Sequence, residues 1–236
     1  MSDSISSPPL KKSRSQGELN ADESKVIAVV FDCGGVLVGD MGWNLIEQRT
    51  KEEKIPDLKK SIRSTWDEMK VTNKLDEDYF WSRISEASGI TSQDVSELRG
   101  EIRKNIKLNP HTLALVDRLK KAGIILGILS NHTTFWFEYI AERYNFYDYF
   151  EAPLVLASSE IGQAKPNHES YAITYDKLVA KHPNIKPGQI AFIDDKKANT
   201  DAAEKFGFRG INWNGTNEGV ETLEDKLKQL IPSFSS

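Results

Sequence analysis

The sequence has a single cysteine and no long apolar run. Because Cys33 stands alone among 236 residues, the chain cannot form an intramolecular disulfide, which suits a reducing compartment. The longest apolar runs, such as Val26–Phe31 and Gly123–Leu129, are far shorter than the roughly 20 residues that cross a bilayer. The first residues are rich in Ser and Pro, where a secretory signal would be apolar. We therefore expect a cytoplasmic protein without a membrane segment.

The sequence also lacks an excess of positive charge. Its 31 Lys and Arg residues are outnumbered by 35 Asp and Glu residues, for a net charge of -4, which argues against nucleic acid as a partner. One short basic cluster, Pro9–Arg14, lies in a polar tail of residues 1–24 that holds too few apolar residues to fold. We interpret the tail as disordered and the cluster as solvated, with a nuclear address as the weaker alternative.

From Lys25 onward, short apolar runs alternate with amphipathic segments. Val26–Phe31 is rich in β-branched residues, which is typical of a strand buried on both faces of a sheet. Further strand patterns cover residues 124–130, 153–158, 189–194 and 208–213. Helical patterns between them cover residues 111–123, 133–144, 168–182 and 199–207. This alternation predicts an α/β fold with a doubly wound, Rossmann-like parallel sheet.

Residues 40–108 interrupt the alternation, because they contain charged segments of helical spacing and no clear strand. About four helices are predicted there, as a small all-helical domain inserted after the first strand. The α/β core then comprises residues 25–39 and 109–236. The aromatic residues of the insertion are interpreted as its own core rather than as ligand contacts, namely Trp43, Trp66, Tyr79, Phe80 and Trp81.

Polar residues follow four of the predicted strands. Since open parallel sheets bind ligands at the carboxyl ends of their strands, these residues should share one edge. They are Asp32 with Gly34 and Gly35, Ser130 with Asn131 and His132, Lys165, and the pair Asp194 and Asp195. Each alone has an ordinary explanation as a turn, helix-capping or loop residue. Their coincidence at matching strand ends is what predicts a functional site.

The acidic residues at this edge suit a metal-assisted nucleophile. Asp32 lies on a turn where Gly34 and Gly35 let a bulky anion approach the backbone amides, so it is a candidate covalent nucleophile. The carboxylates of Asp194 and Asp195 would repel Asp32 unless a divalent cation neutralises them. A set of oxygen ligands favours Mg²⁺ over zinc.

The remaining polar residues suit a phosphoryl group. Lys165 supplies a fixed positive charge, and Ser130 and Asn131 supply hydrogen bonds, which together match the negative charge spread over a transferring phosphoryl group. His132 either contacts the substrate or starts the following helix, and the sequence favours neither. Cys33 is interpreted as a small space-filler behind the nucleophile.

In order and spacing these motifs resemble those of the haloacid dehalogenase (HAD) superfamily, a large group of aspartate-nucleophile phosphatases and their relatives. The resemblance covers residues 25–213. Its four motifs correspond to Phe31–Leu37, to Ser130–Asn131, to Lys165–Pro166 with Tyr171 following, and to Ile193–Asp195 with Asn199. The helical insertion resembles the cap that closes over the site in this family and selects the substrate.

The resemblance implies a role for each residue. Asp32 would attack phosphorus and form an aspartyl-phosphate, which splits hydrolysis into two easier steps. The implied Mg²⁺ ligands are the carboxylate of Asp32, the main-chain carbonyl of Gly34, and Asp195, with Asp194 as a second or water-mediated ligand. The phosphoryl oxygens would be bound by Ser130 and Lys165.

The sequence departs from the family pattern at Gly34. Most phosphatases of the family carry an Asp at this position, which protonates the leaving group and then activates water. Three alternatives follow: the leaving group needs no acid, as in a sugar 1-phosphate or an acyl phosphate; another residue such as His132 substitutes; or turnover is lost. Family phosphatases with Gly at this position, resembling sugar 1-phosphate phosphatases, support the first.

Together these features predict a magnesium-dependent phosphatase that acts on a small phosphorylated metabolite, such as a sugar phosphate. The dehalogenase branch of the family works without magnesium, so it has no use for Asp194 and Asp195 beside a phosphate-binding Lys165. The alternative is a catalytically weak relative that binds a phosphorylated ligand or a protein partner. The sequence contains no signal for the oligomeric state.

Overall fold

The computed structural model describes residues 25–234 of the chain. The predicted disorder of residues 1–24 and the basic cluster Pro9–Arg14 lie outside the described residues. Within them, no helix combines the length and the apolar character that a membrane span requires. Cys33 is buried and unpaired, and location in the cytoplasm stays a prediction.

The centre of the fold is a parallel sheet of five strands. The strands are β1 (Ala28–Phe31), β2 (Ile125–Ser130), β3 (Val155–Ala157), β4 (Ile190–Asp194) and β5 (Arg209–Asn212). Their order across the sheet is β3-β2-β1-β4-β5, and every pairing is parallel. The order reverses at β1, where the chain crosses from one half of the sheet to the other. This confirms the predicted doubly wound α/β fold, and it places the ends of β2 and β4 on either side of the end of β1.

Alternate residues of β1 are buried in two different hydrophobic cores. In β1, Val29 and Phe31 belong to one buried cluster, whereas Ala28 and Val30 belong to the other. Because both faces are covered, the strand residues are apolar in succession, as the sequence indicates. The register pairs Phe31 with Ile128 of β2 and with Ile193 of β4. The residues that follow these three strands therefore come together at one edge.

Ten α-helices surround the sheet in the described part of the chain. Those that precede β2 are α1 (Asn44–Glu47), α2 (Ile55–Met69), α3 (Glu77–Ser88), α4 (Ser92–Asn105) and α5 (Pro110–Lys121). Those that follow β2 are α6 (Thr134–Arg143), α7 (Ser158–Ile161), α8 (His168–Lys181), α9 (Lys197–Phe206) and α10 (Val220–Leu230). The start of α4 is capped, since Thr91 and Asp94 bond each other's backbone amides.

Two helical segments differ from the sequence pattern. The pattern over residues 43–54 forms only the single turn of α1 and a 3-10 turn at Glu52–Lys54. The hydroxyl of Thr50 donates to the carbonyl oxygen of Ile46, 2.8 Å away, and such side-chain bonds to the backbone compete with helix continuation. Helix α10 was not predicted. Its buried residues Leu223 and Leu227 belong to the same hydrophobic cluster as Val29 and Phe31 of β1.

Helices α1–α4 build a third hydrophobic core that reaches the sheet domain. Its buried residues include Leu58, Phe80, Trp81 and Leu98, and they pack together with Trp136 of α6. Phe80 and Trp81 are therefore core residues, as predicted. Because Trp136 is 1% exposed and belongs to the same cluster, the helical segment is joined to the α/β part by continuous apolar packing.

One buried hydroxyl adds a polar link between these two parts. Ser158, at the start of α7, donates from Oγ to the carbonyl oxygen of Lys70 at the end of α2, over 2.5 Å. The same Oγ accepts from the backbone amide of His132, 3.1 Å away. A single side chain thus ties the C-terminal end of α2 to the loops that follow β2 and β3.

Candidate active site

Asp32 follows β1 at the carboxyl edge of the sheet. Its backbone amide donates to the carbonyl oxygen of Ile193, 2.8 Å away, which extends the hydrogen bonding between β1 and β4. The side chain is 6% exposed, and its Oδ1 accepts from the amide of Cys33 at 2.7 Å. Two amides of the following turn, those of Leu37 and Val38, donate to the carbonyl oxygen of Cys33, so the turn holds Asp32 in place.

Lys165 is buried between two carboxylates. Its Nζ lies 2.9 Å from Oδ1 of Asp32 and 2.7 Å from Oδ2 of Asp194. Burial alone would lower the pKa of Lys165, but the charges of Asp32 and Asp194 outweigh it and raise the pKa. Lys165 therefore stays protonated and supplies one fixed positive charge.

The backbone of Lys165 is held by Asn131. The amide of Lys165 donates to Oδ1 of Asn131, and Nδ2 of Asn131 donates to the carbonyl oxygen of Lys165, both at 2.8 Å. Asn131 was expected to bind the substrate. In the structure its amide group is engaged with the Lys165 backbone, so it fixes the position of the lysine, while the residue still lines the cavity described below.

Asp194 is fully buried, and both of its carboxylate oxygens accept hydrogen bonds. Oδ1 accepts from Nδ2 of Asn199 and from the amide of Lys196, each at 2.9 Å. Oδ2 accepts from Lys165 at 2.7 Å and from Asn199 at 3.0 Å. The hydroxyl of Tyr171 in turn donates to the carbonyl oxygen of Asn199, at 2.8 Å. Asp194 thus orients Lys165 through a satisfied network, which Asn199 and Tyr171 complete.

Asp195 has the opposite character, because part of its carboxylate has no partner. Its Oδ1 is buried and accepts no hydrogen bond from the residues that the structure describes. Burial, followed by the charge of Asp194, raises the pKa of Asp195. Gly35 makes the close approach of the turn possible, since a Cβ built there would lie 2.8 Å from Cγ and Oδ2 of Asp195. An orphaned carboxylate oxygen of this kind is what a bound cation would satisfy.

The three carboxylates form an acidic cluster that a metal ion fits. Each of Asp32, Asp194 and Asp195 offers an oxygen, and these oxygens lie within 4.8 Å of one another. Burial raises the pKa of Asp32 to about 6, with Asp194 adding to the shift and Lys165 opposing it. One buried lysine cannot offset three carboxylates, so the cluster favours a divalent cation with a preference for oxygen ligands. Asp195 is the best-placed ligand, because its Oδ1 has no partner among the described residues, whereas both oxygens of Asp194 and Oδ1 of Asp32 already accept hydrogen bonds.

Ser130 and His132 complete the edge. Ser130 ends β2, is 2% exposed and lines the cavity. His132 is buried as well, and its Nδ1 lies 3.2 Å from the carbonyl oxygen of Thr133, which requires Nδ1 to carry the proton. Burial lowers the pKa of His132 to about 4, so the imidazole is neutral at neutral pH. A neutral imidazole with its Nδ1 proton engaged is a poor replacement for a general acid at position 34.

A cavity of about 520 Å³ lies between the edge of the sheet and the helical segment of residues 40–108. At the sheet its lining includes Asp32, Gly34, Ser130 and Asp195. A Cβ built on Gly34 meets no atom within 4 Å, so the space beside Asp32 is open. The volume is that of a site for one small ligand.

The helical segment contributes cavity residues that the sequence pattern did not single out as contacts. They are Asp40, Met41, Trp43, Asn44 and Trp66. Trp43 and Trp66 were interpreted as core only; in the structure both are partly exposed, and each packs on the buried core while lining the cavity. Their signal in the sequence was their aromatic character, but helical spacing does not show which side of an indole stays open.

The profile of the haloacid dehalogenase-like hydrolase family matches residues 27–207. No curated protein is matched by the sequence.

Solved structures share the fold at low identity. A HAD family enzyme from Bacteroides thetaiotaomicron is 19% identical, with a TM-score of 0.60 over 84% of this chain and 98% of its own; it has also been solved with magnesium and inorganic phosphate. A dehalogenase is 19% identical, with a TM-score of 0.59 over 83% of this chain and 88% of its own. A HAD phosphatase from Thermococcus onnurineus is 16% identical, with a TM-score of 0.54 over 81% and 88%.

Proposed function

The chain belongs to the haloacid dehalogenase-like hydrolases, and from that premise we propose that it is a magnesium-dependent phosphatase of a small phosphorylated metabolite. The observation that carries the proposal is the acidic cluster of Asp32, Asp194 and Asp195 together with the buried Lys165, which contacts Asp32 at the end of β1. A dehalogenase needs no such cluster, because no phosphoryl group and no metal have to be held. The similarity to the solved dehalogenase is a similarity of the overall fold. The proposal depends instead on the acidic cluster in the site of this chain.

The magnesium ion would be held by oxygens of Asp32 and Asp195 and by the main-chain carbonyl of Gly34, with Asp194 behind them. Bound there, it would neutralise charge between the carboxylates and the phosphoryl oxygens. The enzyme from Bacteroides thetaiotaomicron that carries magnesium and phosphate supports this choice of metal.

Asp32 is the proposed nucleophile. Its Oδ1 accepts from Lys165 and from Cys33, whereas no residue among 25–234 donates to its Oδ2. Oδ2 would attack phosphorus, the bond from phosphorus to the leaving-group oxygen would break, and an aspartyl-phosphate would form. Water would then attack phosphorus, which releases inorganic phosphate and restores the Asp32 carboxylate. Lys165 and Ser130 would stabilise the charge on the phosphoryl oxygens during both steps.

The absent side chain at Gly34 restricts the leaving group. With no carboxylate beside the nucleophile, and with His132 neutral, the leaving oxygen departs without a strong proton donor from these two positions. Substrates with an acidic leaving group, such as sugar 1-phosphates or acyl phosphates, are therefore favoured. We further propose that the helical segment of residues 40–108 acts as the cap, because Trp43, Asn44 and Trp66 line the cavity together with residues of the sheet edge.

The test is phosphate release from the full chain with and without Mg²⁺, with acetyl phosphate and a panel of sugar phosphates as substrates. Asp32→Asn should abolish release while leaving the melting temperature close to that of the wild type. Asp201→Asn, which changes a partly exposed Asp on α9, is the matched control and should retain full activity. If the wild type releases no phosphate from any compound, or if Asp32→Asn keeps its activity, the proposal is wrong.

A further inference from the structure

The loop that follows β5 contacts two turns of the candidate site. The backbone amide of Trp213 donates to the carbonyl oxygen of Asp194, 3.1 Å away. Two residues further along, the amide of Gly215 donates to the carbonyl oxygen of Gly35, 2.7 Å away. The first contact lies on the turn that carries Asp195, and the second lies on the turn that follows β1. This short segment therefore spans the two turns that hold the proposed metal ligands.

The position of Gly35 affects two of these ligands. A Cβ built on Gly35 would lie 2.8 Å from Cγ of Asp195, so the backbone of Gly35 packs directly on that side chain. The amide of Gly35 donates to the carbonyl oxygen of Val38, 2.7 Å away. Because a peptide unit is planar, this bond also fixes the direction of the Gly34 carbonyl, another proposed ligand. A shift of Gly35 would therefore move both ligands.

Asn109 holds the segment after β5 from the start of α5. Its Nδ2 donates to the carbonyl oxygen of Gly215, 3.0 Å away. Its backbone amide donates to the carbonyl oxygen of Leu37, 2.8 Å away, so the same residue also contacts the turn after β1. Its Oδ1 accepts from the amides of His111 and Thr112, each at 3.2 Å, and thereby caps α5. Asn109 thus joins the start of α5 to two segments that are far away in sequence.

The contact between Asn109 and Gly215 leaves no room for a side chain at position 215. A Cβ built there would lie 2.8 Å from Nδ2 of Asn109 and 2.8 Å from the nearest atom of the Trp213 ring. Trp213 is completely buried, so its ring cannot move aside. The close approach allows both backbone groups of Gly215 to be bonded, the amide to Gly35 and the carbonyl to Asn109.

We propose that Asn109 and Gly215, here called the brace, position the Mg²⁺ ligands of the proposed phosphatase, the function on which this inference rests. Asn109 does not line the cavity, so it is a positioning residue that acts through Gly215. Gly35 has a φ of +75°, and a glycine leaves such a conformation easily once its carbonyl loses its partner. The brace keeps Gly35 against Asp195 and so keeps the ligands at one separation. Partners that orient metal ligands typically contribute roughly 10- to 100-fold to the affinity for the metal.

Substitutions of Asn109 separate the brace from the helix cap. Asn109→Asp keeps an oxygen that caps α5, but it replaces the Nδ2 donor by an acceptor that faces the carbonyl of Gly215. Asn109→Ser is an uncharged replacement that also keeps a cap, and its shorter side chain does not reach Gly215. Asn109→Ala loses both functions. The matched control is Asn217→Asp, which makes the same change of charge in the loop after β5, where the exposed Asn217 side chain has no partner among the described residues.

The first readout is the binding of Mg²⁺ alone to the full chain, measured by isothermal titration calorimetry. The Kd should rise about tenfold in Asn109→Asp and in Asn109→Ser. It should stay within about twofold of the wild type in Asn217→Asp, because the charge of an exposed side chain is screened. An added carboxylate by itself attracts Mg²⁺, so a weaker binding by Asn109→Asp cannot result from its charge.

The second readout is the melting temperature without Mg²⁺. It should fall by about 4 °C or less in Asn109→Asp and Asn109→Ser, because one hydrogen bond is lost. It should fall further in Asn109→Ala, which also loses the cap of α5.

The third readout is phosphate release from acetyl phosphate at low and at saturating Mg²⁺. Asn109→Asp should be slower than the wild type at low Mg²⁺. Saturating Mg²⁺ should restore its rate to within about twofold of the wild type, because the brace acts on the affinity for the metal. A general defect of the fold would not be restored by the metal.

The outcomes distinguish this inference from the proposed function. An unchanged Kd for Mg²⁺ in Asn109→Asp and Asn109→Ser would overturn the inference and leave the phosphatase intact. An equal rise of the Kd in Asn217→Asp would also overturn it, because the effect would then not depend on the brace. If the wild type binds Mg²⁺ but releases no phosphate from any substrate, the phosphatase fails, while weaker Mg²⁺ binding by the Asn109 variants would still support the brace. If the wild type binds no Mg²⁺, the proposed metal site and the inference fail together.

Discussion

The ammonium group of Lys165 lies 2.7 Å from Oδ2 of Asp194, and both side chains are completely shielded from solvent. The same ammonium group also contacts Asp32 at 2.9 Å, so one positive charge lies between two buried carboxylates. Removing one partner of a buried ion pair costs more than the pair contributes, because the remaining charges lose their compensation. Lys165 is therefore expected to matter for the fold as well as for the proposed chemistry.

Lys165→Met should lower the free energy of unfolding by about 3–5 kcal/mol and abolish phosphate release. Lys197→Met provides the control, because Lys197 is exposed and pairs with Asp201 at the surface, and its removal should change stability little. Both are measured by urea unfolding. Adding Asp194→Asn to Lys165→Met should restore part of the stability without restoring activity. Equal stability of the Lys165 and Lys197 variants would show that the buried pair is not needed for folding.

Gly35→Ala should displace the carboxylate of Asp195. Gly35 has a φ of +75°, and its added Cβ would meet Asp195 at 2.8 Å. Gly123→Ala is the matched control, because Gly123 has a φ of +78° and no atom within 4 Å of its added Cβ. Both variants should lose about 1–2 kcal/mol of stability from the left-handed backbone. We expect Mg²⁺ to raise the melting temperature of the wild type and of Gly123→Ala, and this rise should be lost in Gly35→Ala; a similar loss in Gly123→Ala would contradict the steric explanation.

The sheet and the meeting of the site residues could be predicted from the sequence. Continuous apolar runs such as Val26–Phe31 identify buried parallel strands, and parallel strands bring their carboxyl ends to one edge whatever the loops do. Asp32 follows β1 and Asp194 ends the neighbouring β4, so these two residues had to lie near each other, whereas the position of Lys165 depends on the loop that follows α7. The roles assigned to these residues in catalysis stay predictions.

Features that depend on packing could not be predicted in this way. That Asn131 bonds the backbone of Lys165 depends on how two loops far apart in sequence meet. Trp43 and Trp66 belong both to a core and to the cavity, because the rotation of helices against the sheet is set by tertiary contacts. Helix α10 was missed for another reason: its apolar residues, including Val220, Leu223 and Leu227, follow the helical period, and that pattern was available in the sequence.

Gly34→Asp should restore a proton donor beside the nucleophile. A side chain is sterically tolerated there, because the added Cβ meets no atom within 4 Å. We expect turnover of glycerol 1-phosphate, an alkyl ester with a poor leaving group, to rise on the order of 100-fold, and turnover of acetyl phosphate to change little. Gly34→Asn has the same size without the acid and should give no increase. A fall with both esters in both variants would mean that Gly34 is needed to make room for the substrate.

The buried His132 should make the protein less stable in acid. Its pKa is lowered by burial from 6.5 to about 4, so between these values the unfolded chain binds a proton that the folded chain excludes. The contribution of the neutral imidazole is fully present above pH 6.5 and is lost as the pH falls toward 4, by about 2 kcal/mol at pH 5 and about 3 kcal/mol near pH 4. Asp32, whose pKa is raised, acts in the opposite sense.

His132→Gln isolates this effect, because Asp32 contributes to both proteins. We measure the free energy of unfolding of both proteins in urea at pH 7, 6 and 5. The value of the wild type minus that of the variant should decrease steadily as the pH is lowered from 7 to 5. Since Nδ1 of His132 lies 3.2 Å from the carbonyl oxygen of Thr133, the variant should also lose a constant amount of stability at every pH. A difference that does not change with pH would show that the pKa of His132 is the same in the folded and the unfolded protein, and His132 would then again be a candidate general acid.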